Sequence, residues 1–331
     1  MAIGLIRKWS DVGAPKLWAN AYGSIIALLK AVLVDGYGAF SPLGWTLEYS
    51  SGDNTRAVFR NSPTGTGTFL RVNNSNDGRA VTTVDISAYE SMGSLDDFSL
   101  SRCPALGISQ YLAIGYNNAS SCPDGIHWYF IGDNLGFWFL WRPYLTAYTN
   151  ISSLGKIWYC TYIGDYIPVN ITNKKNWFQS GSVATGTNLG PFGTVSSSAS
   201  GTVPGYYCLR GSSFDEGSVV VGLQSGSLFE LTALGQSNQI SPMNGVLHHS
   251  IPILFDVINN NPNMLGFLPG LVNPLIKAGN NGVSDTNLQD SEIVMGNKTL
   301  NLFKYRPDGN TTYDLLKTIG IFSGEGFRDV L

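Results

Sequence analysis

Gly13-Ala14-Pro15, the run Ile25-Ile26-Ala27-Leu28-Leu29-Lys30-Ala31-Val32-Leu33-Val34, Asp35-Gly36-Tyr37-Gly38 and Pro42-Leu43-Gly44-Trp45 form the stretch from which the fold is read. Ser24, Ile25, Leu28, Leu29 and Val32 recur at helical spacing, so a helix is expected over Leu17 to Leu33. Pro15 sits near its first turn and Asp35-Gly36 is its stop. Beyond the glycine-pinned turn, Trp45, Leu47 and Tyr49 alternate as in a strand, as do Ala57-Phe59 and Phe69-Leu70-Val72. Pro63-Thr64-Gly65-Thr66-Gly67 reads as a hairpin loop, and a further strand is expected around Arg79 to Ile86. The expectation is a helix set against an antiparallel sheet, a scaffold that contains no chemistry.

Outward from this module the chain repeats short aromatic and β-branched runs. They are Tyr111 to Ile114, Ile126 to Ile131, Phe137 to Trp141, Ile157 to Ile163, Ile167 to Val169, Val203 to Leu209, Ser218 to Leu223 and Ile251 to Val257. Gly, Asn, Asp or Pro separates them, which describes meanders or small sandwiches. Leu265 to Leu271 is a Gly/Pro-punctuated apolar segment, and Ser291 to Met295 with Thr299 to Tyr305 makes a last strand pair. Arg306-Pro307-Asp308-Gly309 follows as a turn, and the Val330-Leu331 end reads as part of a docking segment.

The fold class is therefore α+β and predominantly β: multiple small antiparallel β units with an N-terminal helix packed on a sheet. Three segments are expected, 1–95, 96–240 and 241–331. The middle one carries an exposed Ser/Gly-rich loop over 181–201.

Composition narrows the function classes. Of 331 residues, 43% are hydrophobic and 12% aromatic but only 13% charged, roughly half the usual charged fraction. Asn, Ser, Thr and 39 Gly cover the surface in place of charge. A net charge of -3 with thinly spread basic residues gives no footprint for nucleic acid, which needs clustered Lys and Arg. A low-charge, aromatic-rich surface suits a permanent protein interface, and equally a chain that uses Asn and Ser for solubility. Met1 to Lys8 shows no signal-peptide pattern and Tyr22 to Val34 is too short to span a membrane, so a soluble chain made in the cytoplasm is expected.

Candidate chemistry is sparse. No GxxxxGK[ST] loop or GxSxG elbow occurs. His248-His249 are adjacent and would face opposite sides of a strand, which does not suit a zinc centre, whereas on a turn they and the nearby Asp256 have a second reading as a weak surface metal site; His127, before Trp128 and Tyr129, is expected to pack against aromatics. Cys103 and Cys122 flank a plausible strand pair and are weighed as a disulfide, while Cys160 and Cys208 are read, like all four by default, as buried thiols. Asp96-Asp97, Asp215-Glu216, Asp133 and Asp165 are the carboxylates open to a glycosidase reading. Asp133, Trp138, Trp141 and Trp158 have two readings, a sugar-binding face or a β core with its polar atoms satisfied. No catalytic, cofactor-binding or metal site is expected, and no cofactor.

The opening module, together with Arg56-Ala57-Val58-Phe59-Arg60, Tyr162-Ile163-Gly164-Asp165-Tyr166-Ile167-Pro168 and Gly266-Phe267-Leu268-Pro269-Gly270-Leu271, resembles a family of tailed-bacteriophage virion proteins. The matching pieces are spread over nearly the whole chain and keep their order. The resemblance implies a non-enzymatic structural part of the tail or baseplate, assembled in the host cytoplasm. Its implied partners are other virion proteins and copies of itself. The alternative is a receptor- or glycan-binding adhesin module that uses aromatics around 128 to 144, or a capsid or neck decoration protein. The very low charge and the 181–201 loop depart from the family. Gly36, Gly38 and Gly44 are expected to shape the turns, with Leu28, Leu29, Val32 and Trp45 in the packing.

Overall fold

The computed structural model describes residues 3–76, 81–97, 102–103, 110–114, 125–142, 158–170, 175–180, 206–209, 219–223, 249–250, 253–256, 263–274, 292–305 and 317–329. Its first strand, β1 (Ile3–Lys8), leads into turns and then into helix α1 (Ser24–Lys30). The helix is shorter at its front than the expected Leu17 start. Leu17 instead forms an isolated bridge, its carbonyl accepting the Ile126 N–H at 2.7 Å, while the Trp18 N–H is taken by Ser24 Oγ at 2.7 Å. Those backbone groups already have partners, so no helical turn forms there. Gly23, in the left-handed region at φ 77°, starts the helix, and its N–H goes to the Asn74 side-chain oxygen at 2.9 Å.

After Lys30 the helix widens into a π turn, Ala31–Asp35, closed by Gly36 at φ 78°. The stop at Asp35-Gly36 is where the sequence places it. The widening turns the Val32 and Leu33 carbonyls toward the next segment: Leu43 N–H reaches Val32 O at 2.9 Å, and Gly44 and Trp45 N–H reach Leu33 O at 3.1 and 2.9 Å. Pro42 to Trp45 thus caps the helix end. Leu28, Leu29, Val32 and Trp45 are all buried. Replacing Leu29 by Ala is expected to cost about 2–5 kcal/mol of unfolding free energy, measured by denaturant titration; a change near zero would remove Leu29 from the core.

Two sheets follow. The first contains β2 (Thr46–Ser50), β3 (Arg56–Arg60), β4 (Phe69–Asn73), β5 (Thr83–Tyr89) and β6 (Arg102–Cys103) in that order, with β7 (Gln110–Ala113) also on β5. The second takes in β1 and the strands from β8 (His127–Gly132) onward: β9 (Gly136–Arg142), β10 (Tyr159–Asp165), β11 (Ile167–Pro168), β12 (Trp177–Ser180), β13 (Tyr206–Cys208) and β14 (Val219–Leu223). It continues through β15 (His249–Ser250), β16 (Ile253–Asp256), β17 (Asn263–Phe267), β18 (Leu271–Pro274), β19 (Glu292–Met295), β20 (Lys298–Tyr305) and β21 (Lys317–Glu325). Every pairing among the described strands is antiparallel, from β2–β3 to β20–β21.

The α+β, predominantly β class read from the sequence is what the chain adopts. Strand pairing crosses both expected boundaries: β6 and β7 complete the first sheet beyond residue 95, and β16 pairs β14 across residue 240. Only Tyr166 separates β10 from β11. The path β10-β12-β13-β14-β16-β17-β11 therefore returns to the stretch of chain it left, closing a ring of ladders.

The period-2 alternation of β8 to β12 divides their side chains between two cores. Trp128, Phe130, Phe137, Phe139, Trp141, Tyr159 and Trp177 join the helix and the first sheet on one face. Ile131, Trp138, Leu140, Cys160, Tyr162 and Phe178 join Leu254, Phe303, Ile319 and Phe327 on the other. Strands buried on both faces read as unbroken hydrophobic runs, which is why Gly136–Arg142 is so aromatic. The loop 181–201, Cys122, Asp215-Glu216, His248, Arg79, the Arg306–Gly309 turn and the Val330-Leu331 end lie outside the described residues.

Candidate functional site

Among the described residues, the densest group of buried charge lies where three remote pieces of backbone meet. Asp133 opens the turn between β8 and β9, Asp165 ends β10, and Arg328 follows β21. Arg328 grips Asp133 with two parallel bonds, Nε to Oδ2 at 2.6 Å and Nη2 to Oδ1 at 2.7 Å. Its Nη1 donates to the Asp165 main-chain oxygen at 2.8 Å, and the Tyr162 hydroxyl donates to that same oxygen at 2.6 Å. Asp133 is also fixed from its own turn, where Oδ1 accepts the Leu135 and Gly136 N–H groups at 2.9 and 3.1 Å. Its carbonyl accepts the Trp45 indole N–H at 3.1 Å, which ties the opening module to the same point.

The Asp165 carboxylate is supplied entirely by the β3–β4 hairpin loop. Oδ1 accepts from Asn61 Nδ2 at 2.8 Å and from Thr66 Oγ1 at 2.6 Å, and Oδ2 accepts the Thr66 N–H at 2.8 Å. Asn61 is oriented by accepting the Thr68 N–H on its Oδ1 at 2.8 Å. The loop approaches so closely that a Cβ on Gly65 would fall within the Asp165 carboxylate and the Leu135 side chain. Glycine is required there for space, not for its φ.

Electrostatically, two buried carboxylates share one guanidinium. Burial pushes the Asp165 carboxyl up to about 6, against the Thr66 and Asn61 hydrogen bonds and the Arg328 charge, which act to lower it. Burial also acts to lower the Arg328 pKa, but Tyr162, Asp133 and Asp165 outweigh it and hold the guanidinium above its ordinary value. Burial keeps the Tyr162 phenol protonated. Asp133 and Asp165 are only 6% and 2% exposed, and both are committed to bonds that hold the fold. An acid and base flanking a substrate need an open cleft, which these two do not line.

The remaining sequence candidates are placed elsewhere. The sugar-face reading of Asp133, Trp138, Trp141 and Trp158 is corrected: all three indoles are buried, and Trp138 and Trp141 lie on opposite faces of β9. They fill the core, with Trp138 Nε1 donating to Pro269 O at 2.7 Å. Asp96 meets Arg56 at 2.8 Å at the surface, and Asp97 accepts the Gly93 N–H at 2.5 Å. His127 stacks on Trp9 with centroids 3.7 Å apart, the aromatic packing expected of it. Cys103, Cys160 and Cys208 are buried and none of them forms a disulfide, which corrects the Cys103–Cys122 pairing, and burial raises the Cys103 and Cys160 pKa values. Among the described residues no group of three or more His, Cys, Asp and Glu is placed to hold a metal ion.

Arg328, Asn61, Thr66 and Tyr162 had no role in the sequence reading of the site. Asn61 and Thr66 carry only a turn signal, and Arg328 is 195 residues from its carboxylate partner. No family model matches the chain, and no curated protein matches its sequence. No helix among the described residues is long and apolar enough to cross a membrane.

Proposed function

We propose that this chain is a non-enzymatic structural protein of a tailed-bacteriophage virion, a tail or baseplate component that works by assembly with neighbouring virion proteins and with copies of itself. The observation that carries the reading is the ordered set of sequence pieces that resemble that family. Their placement supports a scaffold role. Tyr162–Pro168 and Gly266–Leu271, far apart in sequence, pair directly as Ile167 with Phe267 and Pro168 with Gly266. Pro42–Trp45 caps the helix end, and Gly36, Gly38 and Gly44 all hold positive φ, at 78°, 54° and 92°. The pieces that carry the resemblance are thus joints of the fold. The low charge supports contacts built from apolar and neutral hydrogen-bonding groups, which salt screens little.

Three of the aromatics that the adhesin alternative draws on, Trp128, Trp138 and Trp141, are buried, while Tyr129 is partly exposed. The test is mass spectrometry of purified phage particles that encode this chain, with antibody labelling of the intact particle in the electron microscope. The expected result is the chain present in many copies, with label on the tail or its distal end. Its absence from purified particles would overturn the reading.

A further inference from the structure

We propose that β19 is a self-pairing edge, at which two copies of this chain join their sheets by antiparallel pairing about a two-fold axis at Val294. β19 pairs β20 and, among the described strands, no other. Met295 pairs Lys298 across the two-residue turn Gly296-Asn297, so these two form the closing hydrogen-bonded pair. In an antiparallel ladder such pairs alternate with pairs whose N–H and C=O groups point away from each other. Ile293 therefore bonds Leu300, while Glu292 and Val294 turn their backbone groups to the open edge. The Val294 side chain is 74% exposed on that edge.

Open edges are commonly guarded by a charge, a proline or a bulge. β2, the end strand of the first sheet, has such a guard: its ladder to β3 shifts register between Leu47 and Tyr49, beside Glu48. The β19 ladder runs without a shift from Glu292 to Met295, and the strand contains no proline or lysine. Its one charge, Glu292, is directed to Lys8 at 3.6 Å within the same chain. Ile293, Val294 and Met295 are left to meet a partner strand.

The order of these residues fits a second copy. A two-fold axis normal to the sheet places residues of one face opposite residues of the same face. With the axis at Val294, that residue meets the partner's Val294 and exchanges both backbone bonds with it. Ile293 meets the partner's Met295, and Glu292 falls beside the partner's Gly296, so apolar groups face apolar groups and the two carboxylates stay apart. An axis at Ile293 would instead set each Glu292 opposite a valine and bring the carboxylates within diagonal reach of each other. The pairing is short, so the dimer is expected to be a weak one that forms at high chain concentration. It gives the self-association proposed above a defined contact and rests on that part of the reading.

The test uses the full chain. Light scattering is expected to show the mass doubling as concentration rises, and exchange of the Val294 amide should slow about tenfold over the same range. Val294→Pro removes the outward N–H and leaves the bonds to β20 in place, and Val294→Lys adds a guarding charge; both are expected to stay folded and monomeric. Under oxidation Val294→Cys should form an intermolecular disulfide, whereas Ile293→Cys and the unaltered chain should not. A chain that stays monomeric at high concentration overturns the proposal, as does a dimer that survives both Val294 variants or an Ile293→Cys crosslink without a Val294→Cys one. A Val294 amide already protected in the dilute monomer would show that the chain covers its own edge, and protection gained only against a different protein would give the edge to that protein; either result overturns it. Absence of the chain from phage particles would leave a solution dimer standing, and a monomer would leave the virion placement standing, so the two readings fail separately.

Discussion

Replacing Arg328 by Met is expected to lower the unfolding free energy by about 3–5 kcal/mol, the range for breaking a buried pair from one side. Met keeps most of the aliphatic length and removes the cation. The Asp133 carboxylate, 6% exposed, would then lose both Arg328 bonds and keep only those from its own turn. The Asp165 carbonyl would lose one of its two donors. The loss extends to the chain end. Phe327 is buried against Gly4 of β1, where a Cβ would overlap its ring, so the Phe327-Arg328 pair pins the last turn to the first strand. Urea titration should show the lowered midpoint. Pairing Arg328→Met with Asp133→Asn should recover part of the loss, because the second change removes the stranded charge. A cost below about 1 kcal/mol for the single variant would place the pair in water, where such bridges contribute little.

Residues whose partners are local were legible in the sequence; those whose partners are remote were not. The alternation through β8, β9 and β10 is written in consecutive aromatics, and Pro63–Gly67 announces its hairpin by composition. Among the strands that went unassigned in the reading are β1, β12 and β21. β1 mixes Gly4 with a buried Arg7, whose guanidinium reaches Ser41 O, so it has no clean period. β12 is four residues long and buried throughout, with Gln179 held by Gln110 and Cys103 of the opposite sheet. β21 contains Gly320, which lowers strand propensity in sequence, yet Leu300 and Val272 lie where its Cβ would be. The helix start was misjudged for the same reason, since Leu17 bridges to Ile126 and nothing local shows it. The charged cluster is the extreme case, because Asn61, Asp133, Asp165 and Arg328 come from remote stretches of both sheets.

Replacing Trp138 by Ala is expected to cost about 3–5 kcal/mol, as for a fully buried indole. The ring is 0% exposed, packs at 5.0 Å from Tyr162 and hands its N–H to Pro269 O in the turn between β17 and β18. Trp138→Phe separates the two contributions. It retains much of the aromatic packing and leaves the Pro269 carbonyl without its indole donor, a loss of about 1–3 kcal/mol. Trp9→Ala is the surface control: the ring is 38% exposed and lies on His127, so its removal should cost less than about 1 kcal/mol. These costs separate a scaffold from a carbohydrate platform. A tryptophan that binds sugar sits at the surface, and its removal abolishes ligand-induced quenching while the unfolding midpoint stays put. For Trp138 the midpoint is expected to move, because its indole holds the central strand β9 to the turn behind it.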